Sequence, residues 1–185
     1  DAFDRGEAVT LLPTIDLGQR RMDALLDDWS IEELLADDRL FVVDAIGGWD
    51  ESLPNVHPAP ESAAAFVDRL ADLYGRTDRT QSTILNADAI VHTLGAGDAR
   101  TVRYATEADI VDADDRLLHV TNPGQVDDAI TAFYRDAAEQ VIETWMEDDG
   151  LQYLRLKKSP CGFVGSTSLV EYLTEPPYLE VQSPP

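Results

Sequence analysis

Short apolar runs and longer amphipathic stretches alternate along most of this chain. Four runs have the length and composition of buried strands, at residues 7–12, 40–46, 82–85 and 117–120. The stretches with helical spacing lie at residues 16–35, 61–74, 87–94, 98–113 and 127–138. Repeated strand-then-helix order is typical of a mostly parallel sheet flanked by helices. The pattern therefore predicts a fold of the α/β class.

The order of elements changes near residue 140. Two further apolar runs, 140–145 and 151–157, flank the acidic turn Glu147-Asp148-Asp149-Gly150. A polar turn that ends in glycine between two such runs indicates an antiparallel pair rather than a crossover. We therefore expect the parallel sheet to be followed by a C-terminal antiparallel ribbon.

The segment after Pro160 is rich in glycine and proline and contains two short apolar runs, 169–173 and 178–181. Prolines of this kind are typical of edge strands. We therefore predict an α/β core over residues 1–160. The remaining residues, 161–185, are predicted to form a C-terminal extension that packs on the core or on a neighbouring molecule.

Acidic residues dominate the charge of the chain. There are 36 Asp and Glu against 14 Lys and Arg, the formal net charge is -22, and the lysines are Lys157 and Lys158 alone. Molar salt selects for such a surface, because the Debye length there falls to about 3 Å and self-repulsion is screened. The composition predicts a cytoplasmic protein of a halophile. It also argues against nucleic acid as a partner, since phosphate contacts require lysine and arginine.

Three other kinds of site or segment lack support in the sequence. No apolar run approaches the roughly 20 residues that a membrane-spanning helix needs. The single cysteine, Cys161, has no partner for an internal disulfide bond. His57, His92 and His119 are too scattered for a metal triad. We therefore predict no membrane association and no metal site of this type.

An acidic loop follows the second apolar run. Asp44, with Asp50 and Glu51 nearby, is positioned to bind a cation at the carboxyl edge of a parallel sheet, where ligands of such folds collect. In so acidic a chain a hydrated loop is the favoured interpretation. Trp49 in the same loop is interpreted as a cover of the core rather than as a contact for a partner.

The order of elements and several short strings resemble the KaiC type of the RecA-superfamily ATPases. Residues 7–12, after Arg5-Gly6, resemble the second strand of that fold, and residues 117–122 resemble a late core strand that ends in polar residues. The string 153–158 resembles a strand that carries a lysine toward the nucleotide of a neighbouring subunit. The resemblance covers nearly the whole chain. It implies a RecA/KaiC-like sheet, self-association or other protein partners, and ATP and Mg²⁺ as candidate cofactors.

The resemblance also implies roles for individual residues. Lys157 corresponds to the lysine that acts across the subunit boundary, with Lys158 as the alternative. Asp16, the single acid after the first strand, corresponds to the acids that orient the attacking water. Thr121 and Asn122, which end the late strand, belong to the implied nucleotide site.

The sequence departs from the family pattern at two points. The loop Gly-x-x-x-x-Gly-Lys-Ser/Thr needs a Gly-Lys pair, and these residues contain none. Asn86 stands where the family has a magnesium-associated aspartate, and Asp88 follows two residues later. A neutral amide supplies less charge than a hard divalent cation prefers. The first residues, 1–7, read as the end of a helix that begins upstream, so we expect preceding residues.

Three hypotheses about function follow. The first is a RecA/KaiC-like regulatory or assembly protein that binds nucleotide weakly or without hydrolysis and acts through protein partners. The second is an active ATPase of the same fold whose phosphate loop lies upstream of Asp1. The third is an α/β domain that binds a small molecule at the carboxyl ends of its strands. Asn86 favours the first hypothesis over the second.

Overall fold

The computed structural model describes residues 2–14, 17–26, 29–162, 164–173 and 179–182. The strands are β1 (Ala8–Leu12), β2 (Leu40–Asp44), β3 (Val56–Pro58), β4 (Gln81–Asn86), β5 (Arg116–Val120), β6 (Val141–Met146), β7 (Gln152–Lys158), β8 (Thr167–Tyr172) and β9 (Leu179–Gln182). The helices are α1 (Gln19–Leu25), α2 (Ile31–Ala36), α3 (Ala63–Tyr74), α4 (Ala87–Leu94), α5 (Ala96–Asp109) and α6 (Asp128–Ala137). In the described part of the chain, no helix is long and apolar enough to cross a membrane.

The chain divides into two compact units, residues 1–131 and 132–185. The first unit contains a five-stranded parallel sheet in the order β3-β2-β1-β4-β5. Helices flank this sheet, and the second unit contains a separate antiparallel sheet. The predicted architecture, a mostly parallel sheet flanked by helices and followed by an antiparallel element, is confirmed.

Both faces of the parallel sheet carry a hydrophobic core. On one face Leu12, Phe41 and Leu85 pack in a cluster with buried side chains of α3, α4 and α5. On the other face the cluster includes Leu11 and Val42 together with buried side chains of α2. Strands buried on two faces have no polar alternation, which is why β1 and β2 appear in the sequence as continuous apolar runs.

Helix α3 illustrates why the local sequence forms a helix. The hydroxyl of Ser62 accepts the backbone N–H of Ala65 at 3.3 Å and thereby caps the first turn. Phe66, Leu70 and Leu73 recur at helical spacing and are fully buried against the sheet. Predicted elements 61–74 and 82–85 therefore correspond to α3 and β4, with shifts of one or two residues at their ends.

A buried carboxylate joins three strands at the amino-terminal edge of the sheet. Glu7 accepts Arg5 Nε at 2.6 Å and Ser82 Oγ at 2.8 Å, and it also pairs with Arg116. These hydrogen bonds lower the pKa of Glu7 to about 2, and the one from Arg5 has the largest effect. Because Ser82 lies in β4 and Arg116 in β5, this cluster holds the edge of the sheet together.

The second unit contains the end of α6 and a four-stranded antiparallel sheet in the order β6-β7-β8-β9. The ribbon expected from the sequence is the pair β6 and β7. Strands β8 and β9, which lie in the segment predicted as an extension after residue 160, continue the same sheet. The division between the two compact units falls within α6.

Candidate functional site

The carboxyl ends of the five parallel strands lie at one edge of the first unit's sheet. In folds of this kind, ligands bind outside the carboxyl ends of the strands. Asp44 ends β2, Asn86 ends β4, and Thr121 and Asn122 follow β5 directly. The candidate site is this edge, and its chemistry depends on what these polar side chains contact.

Asn86 is buried, with 7% of its surface exposed, and both polar atoms of its side chain form hydrogen bonds. Its Oδ1 accepts the backbone N–H groups of Asp88 at 3.1 Å and Ala89 at 3.3 Å, which caps the start of α4. Its Nδ2 donates to the carbonyl oxygen of Pro13 at 3.4 Å. The amide therefore connects the end of β4 to both α4 and the segment after β1.

Asp88 lies in the first turn of α4 and joins it to the chain after β5. Its Oδ2 and Oδ1 accept the backbone N–H of Asn122, at 2.9 and 3.2 Å. Asn122 Oδ1 in turn accepts the N–H of Gly124 at 3.0 Å and closes a turn. Burial raises the pKa of Asp88, while the Asn122 hydrogen bond and the nearby His92 oppose that shift.

Asp44 organises the loop beside this edge. Its carboxylate accepts three backbone N–H groups, from Ile46 at 2.9 Å, Gly47 at 3.0 Å and Trp49 at 2.8 Å. With 5% of its surface exposed, Asp44 is not part of a hydrated loop, so the favoured interpretation from the sequence was wrong. Trp49 is 6% exposed, packs in the core and donates Nε1 to the Leu17 carbonyl at 3.3 Å.

The structure brings together some of the residues predicted for the site. Asn86, Asp88 and Asn122 form one hydrogen-bonded group, and Thr121 precedes Asn122 in the chain. Asp16 lies outside the described residues. Lys157 belongs to the second compact unit, whereas Asn86, Asp88, Thr121 and Asn122 belong to the first.

Both lysines have partners within the second unit. Lys157 Nζ lies 3.5 Å from Glu143 Oε2, and Arg155 donates to the same oxygen at 2.8 Å. The Arg155 hydrogen bond, with a smaller contribution from Lys157, lowers the pKa of Glu143. Lys158 Nζ donates to the carbonyl oxygen of Asp136 at 2.9 Å. Lys157 thus has an exposed carboxylate partner on its own sheet.

The polar side chains at this edge form hydrogen bonds within the protein. Asn86, Asp44 and Asp88 direct their oxygens at backbone N–H groups, which makes them acceptors for the protein itself. Among the described residues, no group of three or more His, Cys, Asp and Glu could hold a metal ion. Sequence reasoning missed the capping role of Asn86, although asparagine directly before a predicted helix is a known N-cap signal.

No family model and no curated protein matches the chain. Several solved structures are similar to the chain. An uncharacterized protein of Pyrococcus horikoshii, solved in complex with an unknown peptide, is 12% identical with a TM-score of 0.70, over 99% of this chain and 82% of that one. A KaiC-like protein of Pyrococcus horikoshii OT3 is 17% identical with a TM-score of 0.64, over 97% and 78%.

The flagellar accessory protein FlaH of Methanocaldococcus jannaschii is also similar, with 12% identity and a TM-score of 0.61 over 98% of this chain and 79% of that one. At such low identities the likeness concerns the fold alone. This chain therefore has the RecA-like fold of KaiC-like and FlaH proteins.

Proposed function

We propose that this protein is a KaiC-like regulatory or assembly protein that acts through protein partners and does not hydrolyse ATP. It works in the cytoplasm of a halophile, whose salt screens the net charge of -22. ATP and Mg²⁺ are at most weakly bound ligands in this account, and neither nucleic acid nor a membrane is a partner.

The observation that carries this proposal is the state of Asn86. At the position implied for the magnesium-associated aspartate, the side chain is neutral, buried and hydrogen-bonded to Asp88, Ala89 and Pro13. A hard divalent cation prefers carboxylate oxygens. The carboxylate of Asp88, two residues later, already accepts the Asn122 N–H. Recruiting Mg²⁺ here would break bonds that hold α4 and the end of β5.

A protein partner is favoured by one structural neighbour. The Pyrococcus horikoshii protein that matches 99% of this chain was solved with an unknown peptide. A complex between a protein of this fold and a peptide is consistent with an assembly role.

The alternative, an active ATPase with its phosphate loop upstream of Asp1, is favoured by a different observation. Strand β5 pairs with β4 alone among the described strands, and Leu118 and Val120 in it are 48% and 43% exposed. Strands of parallel sheets are normally buried on both faces. A further strand at this edge, carrying the loop, would cover them. The neighbouring structures extend beyond the matched region by about a fifth of their length.

A small-molecule function is favoured by a cavity of about 490 Å³ in the first unit. Gly18, Arg20, Arg21 and Gly48 line it, so it lies beside the chain segments that follow β1 and β2. Its volume is within the range of small-ligand sites. Most of its lining residues are polar or charged, which is unlike most such sites, and this function ranks third.

Phosphate release from ATP by the purified protein, with Mg²⁺ in about 2 M KCl, tests the proposal. We expect no hydrolysis above background for the protein itself. The variant Asn86→Asp places a carboxylate at the position where the resemblance implies a magnesium-associated aspartate, and it keeps an N-cap side chain. Under the proposal, neither Lys157→Ala nor the matched control Lys158→Ala changes the result. Hydrolysis that Lys157→Ala abolishes and Lys158→Ala preserves would establish the ATPase alternative instead.

A further inference from the structure

The cavity of about 490 Å³ in the first unit is lined mainly by charged and polar side chains. Four of its lining residues are charged, namely Arg20, Arg21, Asp23 and Glu32. They belong to the segment that follows β1 and to α2, and the segment that follows β2 completes the wall. Small-ligand sites are usually apolar with a few polar groups. A wall with so many charges suits a hydrophilic ligand instead.

Hydrogen bonds hold the two segments behind the cavity against each other. The side-chain oxygen of Gln19 accepts the backbone N–H of Asp50 at 3.3 Å, and the Gln19 N–H donates to the Gly48 carbonyl at 3.4 Å. Trp49 Nε1 donates to the Leu17 carbonyl at 3.3 Å. Three bonds between the same two segments fix the backbone that carries the arginines. A binding site needs such support to hold its ligand-contacting groups in place.

The two arginines of the cavity are available to a ligand. Among the described residues, no carboxylate forms an ion pair with Arg20 or Arg21, and this includes the acids of the same cavity. At least six other arginines of the chain do pair with a carboxylate. Guanidinium groups bind phosphate through paired, charge-assisted hydrogen bonds. Two adjacent guanidinium groups therefore favour an anion with two charges.

The carboxylates of the cavity provide acceptors for a different part of the ligand. Glu32 Oε2 accepts the hydroxyl group of Ser30 at 3.1 Å, so this carboxylate already binds one hydroxyl of the protein. An ionised carboxylate has several acceptor positions and no donor. Asp23 supplies a second carboxylate to the same wall. Hydroxyl groups of a ligand would satisfy both.

We propose that this cavity binds a phosphate ester that carries hydroxyl groups, which is the chemistry of a sugar or polyol phosphate. Arg20 and Arg21 bind the phosphate, and Asp23 and Glu32 accept hydrogen bonds from the hydroxyl groups. The cavity lies beyond the ends of β1 and β2, where parallel sheets bind ligands. Its volume lies in the range of roughly 300–1,000 Å³ that small-ligand sites occupy.

This inference goes beyond the proposed function, because it assigns a ligand to residues outside the group formed by Asn86, Asp88 and Asn122. The test is calorimetry of the full chain with glycerol 3-phosphate as the probe, in about 2 M KCl without Mg²⁺. Inorganic phosphate is the second probe, since it has the anion without the hydroxylated chain. We expect glycerol 3-phosphate to bind about tenfold more tightly than inorganic phosphate.

Three kinds of variant separate the roles of the side chains. Arg20→Gln and Arg21→Gln should each weaken the binding of both probes by about tenfold. Glu32→Gln should bring the two affinities to within about threefold of each other, because it removes an acceptor for the ester alone. The matched control is Arg135→Gln, which removes the same charge from an exposed arginine outside the cavity. It should leave both affinities within about twofold.

Absence of binding for both probes overturns the inference, as does binding that Arg20→Gln, Arg21→Gln and Arg135→Gln weaken equally. Equal affinities of the unmodified protein for the two probes overturn the assignment of a hydroxylated ester. Circular dichroism establishes that each variant is folded. Because neither nucleotide nor Mg²⁺ enters this experiment, its outcome is independent of the hydrolysis test of the proposed function.

Discussion

Replacing Asn86 with alanine removes the hydrogen bonds that connect β4, α4 and the segment after β1. Loss of an N-cap side chain costs about 1 kcal/mol of folding free energy. The long hydrogen bond to the Pro13 carbonyl, at 3.4 Å, contributes about 0.5 kcal/mol more. We therefore expect Asn86→Ala to lower the free energy of unfolding of the first unit by about 1.5 kcal/mol.

Aspartate at the same position is the matched control. It keeps an oxygen for the N–H groups of Asp88 and Ala89 and adds a charge that the start of a helix favours. It loses the donor to Pro13. We expect Asn86→Asp to cost less than half as much as Asn86→Ala.

Urea unfolding in potassium chloride measures both variants. Trp29 and Trp49 lie in the first unit and Trp145 in the second, so a Trp145→Phe background makes tryptophan emission report on the first unit. With a slope of about 2 kcal/mol per molar urea, Asn86→Ala should lower the midpoint by about 0.75 M. A shift below about 0.25 M, or equal shifts for both variants, contradicts the capping role.

Three further predictions concern charged side chains. The pKa of Glu7 is about 2 instead of 4.5, so its pairs stabilise the fold above pH 4.5 and that contribution is lost as the pH falls toward 2. Glu7→Gln should remove this part of the acid dependence, and an unchanged pH profile of unfolding would contradict it. Asp44→Ala leaves three backbone N–H groups without their acceptor, so it should lower the free energy of unfolding by roughly 2–4 kcal/mol and shift Trp49 emission to the red. Unchanged emission would contradict the role of Asp44 in organising this loop. Lys157→Ala should change thermal stability by less than about 0.5 kcal/mol, because its ion pair with Glu143 is half-exposed, and a larger loss would show that the pair is structural.

The fold class could be predicted because its signals are local and repeated. Strands β1 and β2 are buried on both sides and appear as largely apolar runs, and α3 shows helical spacing with Ser62 at its start. Strand β3 was missed, because it has three residues and ends at Pro58 within a proline-rich loop. So short a run has no periodicity to detect.

The candidate site was predictable only in part. Parallel topology places the ends of β4 and β5 side by side, which brings Asn86, Asp88 and Asn122 together. The hydrogen bonds that these side chains form cannot be read from the spacing of residues in the sequence, since they depend on the backbone geometry after each strand. Asp44 illustrates this, because an acid in an acidic chain gives no sign that it is buried.

The role of Lys157 lies beyond sequence reasoning for a different physical reason. Strand alternation places Lys157 and Lys158 on opposite sides of β7, and it says nothing of what faces either side. The pair with Glu143 depends on the register between β6 and β7. A residue that acts across a subunit boundary needs the neighbouring subunit to be identified.

The affinity of the full-length protein for ATP is the measurement that tests the central claim most directly. Calorimetry in about 2 M KCl with Mg²⁺ screens the acidic surface during titration. The account predicts no binding, or binding weaker than about 1 mM, because the end of β4 offers Mg²⁺ a neutral Asn86 whose Oδ1 already accepts backbone N–H groups. Magnesium-dependent binding near 1 μM would contradict it and identify an active nucleotide site.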